Sequence, residues 1–201
     1  MLSILNLLSL ILSSVGFSLY YILSVQPAQM EKTKGAEAYK LAARYRMICS
    51  IYMGVAFVNF VLYRWIPLPF DPFPLRFPWS YWLSITIALV LGIPTTSLMI
   101  VAIKDAGKET LSPEKEHTLY TGIYKSIRHP QALGELSIWY VVALLLNSPF
   151  LLFISALYTP VWIMWCFLEE KDLVIRYGKS YEEYRSRTGM FIPKARKRKP
   201  R

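Results

Sequence analysis

Cysteine, histidine and charge are all scarce in this chain of 201 residues. The two cysteines, Cys49 and Cys166, each sit inside an apolar block, with no CxxC pair and no histidine beside them. A disulfide framework and a metal site therefore both lack ligands, and the thiols read as small buried packers. Charged residues make up 18% of the chain, below the roughly 25% of soluble domains. No Ser/His/Asp pattern for a covalent nucleophile is visible either. What is present instead is apolar: 54% of residues are hydrophobic and the mean hydropathy is +0.33. These residues fall in long blocks, the pattern of a chain that faces lipid, within one domain over residues 1–201. The net charge of +10 then marks loops near anionic lipid headgroups rather than a nucleic-acid surface.

The apolar blocks predict an all-α polytopic membrane protein with five transmembrane helices, at about residues 2–24, 47–66, 79–103, 131–147 and 150–168. The first block lacks the basic leader and small-x-small cleavage site of a signal peptide, so it reads as a retained span. Gly92 and Pro94 predict a kink in the third. Pro67, Pro69, Pro72, Pro74 and Pro78 predict a stiff connection before it, and Asn147-Ser148-Pro149 predicts a tight turn between the last two. Residues 104–130 and 169–193 are left as polar segments, and 194–201 as a basic tail that is either solvated or drawn to anionic lipid. Of the 23 Lys and Arg residues, 21 then fall on one side and Arg64 and Arg76 on the other. The positive-inside rule puts the N-terminus outside and the C-terminus in the cytosol, in a plasma or endoplasmic-reticulum membrane that the sequence does not distinguish.

The hairpin of the last two spans brings its two ends together, so Arg128-His129 and Glu169-Glu170 are expected as neighbours at the cytosolic interface. Singly, each has an ordinary explanation: Arg128 as a snorkelling anchor, Pro130 as a first-turn residue, Tyr120 and Tyr124 as members of an aromatic belt. Glu135, one turn into the fourth span, is either hydrated near the interface or functional, pairing with or taking a proton from a cationic amine acceptor.

Together these segments resemble a known pattern. His117–Tyr124, Arg128-His129-Pro130 and Glu169-Glu170-x-x-Leu173-x-x-x-Tyr177-Gly178-x-x-Tyr181-x-x-Tyr184-x-x-x-Thr188-Gly189 look like the isoprenylcysteine carboxyl methyltransferase family, which is related to the membrane phospholipid methyltransferases. The resemblance spans Leu111 to Pro193. It implies an S-adenosylmethionine (SAM) pocket on the cytosolic side, covered by the C-terminal segment. By the same resemblance the pocket is lined by His117, Thr118, Leu119, Tyr120, Tyr124, His129, Pro130, Gln131, Ala132 and Glu169. Arg128, Glu135 and Glu170 are the catalytic candidates, with no metal involved. Methyl transfer from a sulfonium needs positioning and exclusion of water more than a nucleophilic side chain. The implied partners are membrane lipids and a lipophilic or lipidated acceptor, an isoprenylcysteine carboxyl group or a related lipid. Phospholipid amine N-methylation is the alternative, followed by an NADPH-dependent reductase of the sterol-reductase type or an inactive membrane scaffold. Two positions depart from the family: Ala132 stands in place of a tyrosine, and Trp165 in place of the arginine that handles the substrate carboxylate. Trp165 is thereby the substrate-side candidate and an argument against a carboxylate acceptor.

Overall fold

Seven helices appear along the chain in a computed structural model that describes residues 1–69, 73–116 and 121–194. They are α1 (Leu2–Ser24), α2 (Pro27–Lys34), α3 (Glu37–Leu62), α4 (Tyr81–Ala106), α5 (Pro130–Leu145), α6 (Pro149–Tyr177) and α7 (Lys179–Arg187), with 3-10 turns at Gly107–Thr110 and Gly122–Lys125. Among the described residues there is no strand, only an isolated parallel bridge between Ile127 and Gly189. α1, α3, α4 and α6 are long and apolar enough to cross a membrane. Their large apolar side chains, such as Leu12, Ile51 and Val90, point outward, as a lipid-facing surface requires.

The helix boundaries correct the apolar-block reading in three places. α3 begins at Glu37 rather than near Met47, and the expected loop before it holds α2. Ala38 and Ala42 are fully buried there, so tertiary packing extends the helix below the apolar block. α5 has only 16 residues, about 24 Å at 1.5 Å per residue, against a hydrocarbon core of roughly 30 Å. It is an apolar helix shorter than the span expected at 131–147. α6 runs without interruption for 29 residues, so Glu169 and Glu170 lie on a helix rather than at the start of a separate segment. α4 likewise continues through Pro94. The connection from Pro67 to Pro78 is non-helical where it is described, Pro72 lying outside the described residues.

Small and polar side chains set the helix contacts, as expected where lipid offers no competing hydrophobic drive. A Cβ on Gly134 would strike the Met99 side chain and the Thr95 carbonyl, which is how closely α5 lies on α4. Asn6 on α1 donates to the Asn59 carbonyl on α3 at 2.9 Å, and Asn59 donates to the Ser9 hydroxyl at 3.0 Å. The turn predicted at Asn147 is present: Asn147 has φ of 53°, and the Ser148 hydroxyl caps α6 by accepting from the Leu151 amide. Between the helices lies an aromatic core in which Phe17, Trp139, Trp162 and Trp165 meet edge to face or tilted.

Candidate functional site

The polar end of α6 carries Glu169, Asp172, Leu173 and Arg176 at i, i+3, i+4 and i+7, a spacing that puts all four on one helix face. All four line a cleft. Its other walls come from Tyr21 on α1, Arg46 and Cys49 on α3, Gln131 and Glu135 on α5, and Tyr124 between α4 and α5. With its open mouth and the solvent there included, the cleft holds about 1150 Å³ of empty space.

Two charge networks border this cleft. In the first, Arg128 Nε donates to Glu170 Oε1 at 2.7 Å, and His129 Nε2 lies 3.0 Å from the same oxygen. His129 Nδ1 faces Glu169 Oε2 at 3.4 Å. A carboxylate on each ring nitrogen calls for a donor on each, which is the imidazolium form. Burial presses the ring toward neutrality, but hydrogen bonds with Cys166, Glu169 and Glu170 hold the pKa of His129 well above the ordinary histidine value. Arg128 also donates through Nη1 to the carbonyls of Thr188 and Arg185. The amides of Arg128 and His129 donate to the carbonyls of Gly189 and Met190 at 2.9 and 3.1 Å. The C-terminal segment is thus bound along the entry to α5. Any Cβ on Gly189 would overlap the Ile192 carbonyl, which is the physical reason for glycine in the Thr188-Gly189 pair. Tyr184 adds a further tie, its hydroxyl donating to the Tyr124 carbonyl at 2.6 Å.

In the second network, Arg176 Nη1 contacts Glu109 Oε1 at 2.6 Å with both side chains buried. Glu109 Oε2 accepts from the Glu114 amide at 3.1 Å. The Arg176 guanidinium also lies 4.8 Å from the Tyr177 ring centroid. Arg46 donates to the carbonyls of Glu109 and Thr110 at 2.7 and 3.0 Å and to that of Ser24 at 3.3 Å. Asp172 closes the same end of the bundle by accepting from the amides of Ala28 and Gln29, the first turn of α2.

Of the residues singled out in the sequence, Tyr124, Arg128, His129, Gln131, Ala132, Glu135 and Glu169 line the cleft. Pro130 and Glu170 are buried just behind it. His117, Thr118, Leu119 and Tyr120 lie outside the described residues. Trp165 is placed elsewhere: it is buried in the aromatic core against Phe17, Tyr21 and Trp162 and is not among the cleft-lining residues. Sequence reasoning missed Arg46, Glu109, Asp172 and Arg176. The last two carried a usable signal, the helical register they share with Glu169. Arg46 and Glu109 carried none, because their partners are distant in sequence.

The phospholipid methyltransferase family model matches residues 79–180, just over half of the chain. The chain belongs to the phospholipid methyltransferase family. With its long apolar helices, this makes it an integral membrane protein of a methyltransferase family. Within the family it is 29% identical over 169 residues to a methanethiol S-methyltransferase of a Pseudomonas species (strain GM41), a match covering 79% of this chain and 62% of that one. It is 35% identical over 89 residues to methanethiol S-methyltransferase 1 of Bradyrhizobium diazoefficiens, covering 43% and 29% of the two chains. A methanethiol S-methyltransferase of Pseudomonas deceptionensis is 28% identical over 121 residues, covering 58% and 45%. The chain spans less than two thirds of the length of these curated relatives. No solved structure matches it. The family match contains both Arg128-His129 and Glu169-Glu170, and it leaves Arg46 outside.

Proposed function

We propose that this protein transfers a methyl group from SAM to a small apolar thiol that reaches the cleft from the bilayer. The observation that carries the reading is a cleft in which the Glu169 carboxylate lies beside an aromatic wall at the charged end of the bundle. SAM is a cation at sulfur and at its ammonium and offers ribose hydroxyls as donors, so a carboxylate with open acceptor sites suits it. Glu169 uses one oxygen toward His129 and keeps further acceptor sites for a ribose hydroxyl or the ammonium. Tyr21, Tyr124 and Tyr181 offer faces for the adenine. The bound cofactor would supply an activated methyl group. The chain's own part is to hold Glu169 through His129, to keep the C-terminal segment over the cleft through Arg128, and to exclude water.

The acceptor follows from where the cations are spent. Arg46, Arg128 and Arg176 are all bound to protein oxygens, and Trp165 occupies the position where a carboxylate-binding arginine stands in the isoprenylcysteine enzymes. A neutral acceptor fits better than an isoprenylcysteine carboxylate, and the name of the relatives, methanethiol S-methyltransferase, favours a small thiol. The family description keeps a phospholipid amine as the second reading. In this reading the short α5 joins α1, α3, α4 and α6 as a fifth membrane helix. The N-terminus then lies outside, and the cleft opens to the cytosol with 21 of the 23 Lys and Arg residues.

The test is incubation of the purified protein with methyl-labelled SAM and, separately, an alkanethiol, a prenylcysteine and phosphatidylethanolamine. Labelled thioether is the expected product. Absence of SAM binding by calorimetry, together with no effect of Glu169→Ala, would sink the reading.

A further inference from the structure

Glu135 differs from the other carboxylates of the cleft. Glu169 faces His129, Glu109 faces Arg176, and Asp172 is held by two backbone amides. Glu135 has neither a salt bridge nor a backbone donor among the described residues. Gln131, one turn earlier on its own helix, is the polar side chain that favours its charged form. The charged and titratable groups around it are Arg46 and Cys49 on α3, Tyr21 on α1, Tyr124 between α4 and α5, and Glu169 on α6. Arg46 is already committed to three carbonyl oxygens. The Glu135 carboxylate is thus left with open lone pairs in the cleft.

Its surroundings are those of a site for an apolar molecule. On α3 the cleft-lining residues Arg46, Cys49, Ser50 and Met53 follow i, i+3, i+4, i+7, a stripe about 10 Å long at 1.5 Å per residue. Charge is confined to its Arg46 end, and from Cys49 to Met53 it is uncharged, joined there by Phe17 and Ala132. Glu135 lines the same cleft as Arg46 and Cys49 and feels the field of each.

We propose that Glu135 is the catalytic base of the reaction, taking the S–H proton of the acceptor thiol. This rests on the thiol-methylation reading above. A thiol is a weak nucleophile and its thiolate a strong one. The proton passes from the acceptor sulfur to a Glu135 carboxylate oxygen. A sulfur lone pair then forms the new S–CH3 bond as the sulfonium C–S bond breaks, its electron pair remaining on the departing sulfur. Positive charge on the donor is discharged as the carboxylate becomes a carboxylic acid, so charge and atoms balance. The proton later leaves to water at the mouth of the cleft.

The experiment compares an alkanethiol, un-ionised at neutral pH, with an electron-poor arenethiol that is already a thiolate there. Glu135→Gln should lower kcat/KM for the alkanethiol on the order of 100-fold, the usual worth of a general base. It should leave the arenethiol within about threefold and SAM binding by calorimetry unchanged. It should also abolish the acid limb of the alkanethiol pH profile. Equal losses for the two thiols, or an unaltered profile, would overturn the role of Glu135 while leaving thiol methylation standing. Methylation of phosphatidylethanolamine but of no thiol would overturn both. Should Glu135→Gln not fold, the wild-type protein without cofactor decides by infrared difference spectroscopy. An alkanethiol should shift a carboxylate band that the matching dialkyl thioether, having no S–H, leaves in place. Identical spectra for the two would overturn the proposal.

Discussion

The two charge networks of the cleft use the same residue types in different ways. Arg128, His129, Glu169 and Glu170 form a compact set from two segments at the ends of one helical hairpin, and Arg128 extends it to the C-terminal segment. Arg46, Glu109 and Arg176 join three segments spread over the chain, and much of their bonding is to backbone carbonyls. The first network ties the C-terminal segment and the start of α5 to α6 beside the cleft. The second fixes the turn after α4 against α1, α3 and α6. Burial makes both depend on complete partners, because an ion stripped of its counter-ion inside protein costs far more than the pair contributes.

The comparison is tested most severely at Arg128, which serves one carboxylate and two carbonyls. Arg128→Ala is expected to cost about 3–5 kcal/mol of stability, read from unfolding in detergent, and to release the C-terminal segment to hydrogen exchange. Arg176→Ala should fall at the lower end, about 3 kcal/mol, with faster exchange confined to the Gly107–Thr110 turn. If exchange instead rises in the C-terminal segment, the networks are one unit and the contrast is broken. The next effect is a pH dependence that belongs to the first network alone. His129 is raised in the folded state, so its stabilising contribution is complete below its unfolded pKa of about 6.5 and is lost as pH climbs through the higher folded value. Thermal midpoints of wild type should therefore decline on that alkaline side, and His129→Gln should flatten the decline. The smallest change is expected from Tyr184→Phe. It deletes one hydrogen bond to the Tyr124 carbonyl at a cost of about 1 kcal/mol, visible as local exchange near Tyr124 with little effect on global unfolding.

The same contrast explains what could be read from residues alone. Arg128-His129 and Glu169-Glu170 were expected as neighbours because a turn at Asn147-Ser148 folds the last apolar stretch on itself, and the structure has both the turn and the contacts. The α1 boundaries coincide with the apolar block because its partners, α3 and the aromatic rings of α6, meet it along the apolar stretch itself. α3 and α6 exceed their blocks for the opposite reason. Their polar turns are held by partners that hydropathy does not register, such as the α2 amides that meet Asp172. Arg46 was counted only as a topological charge, since its role depends on carbonyls of residues 24, 109 and 110. Trp165 was weighed by its position in a motif, whereas its indole is taken up by neighbouring rings of α1 and α6.

The length of α6 has one more consequence. Its 29 residues reach about 43 Å at 1.5 Å per residue, beyond a hydrocarbon core of roughly 30 Å. The turn at Asn147 and the carboxylates at Glu169 and Glu170 are therefore opposite ends of a single strut. A bilayer of different thickness changes the tilt of that strut. The height of the Glu169 carboxylate above the lipid is in this way set by the membrane as well as by the protein, and a graded series of acyl-chain lengths would act on the cleft as a mechanical adjustment.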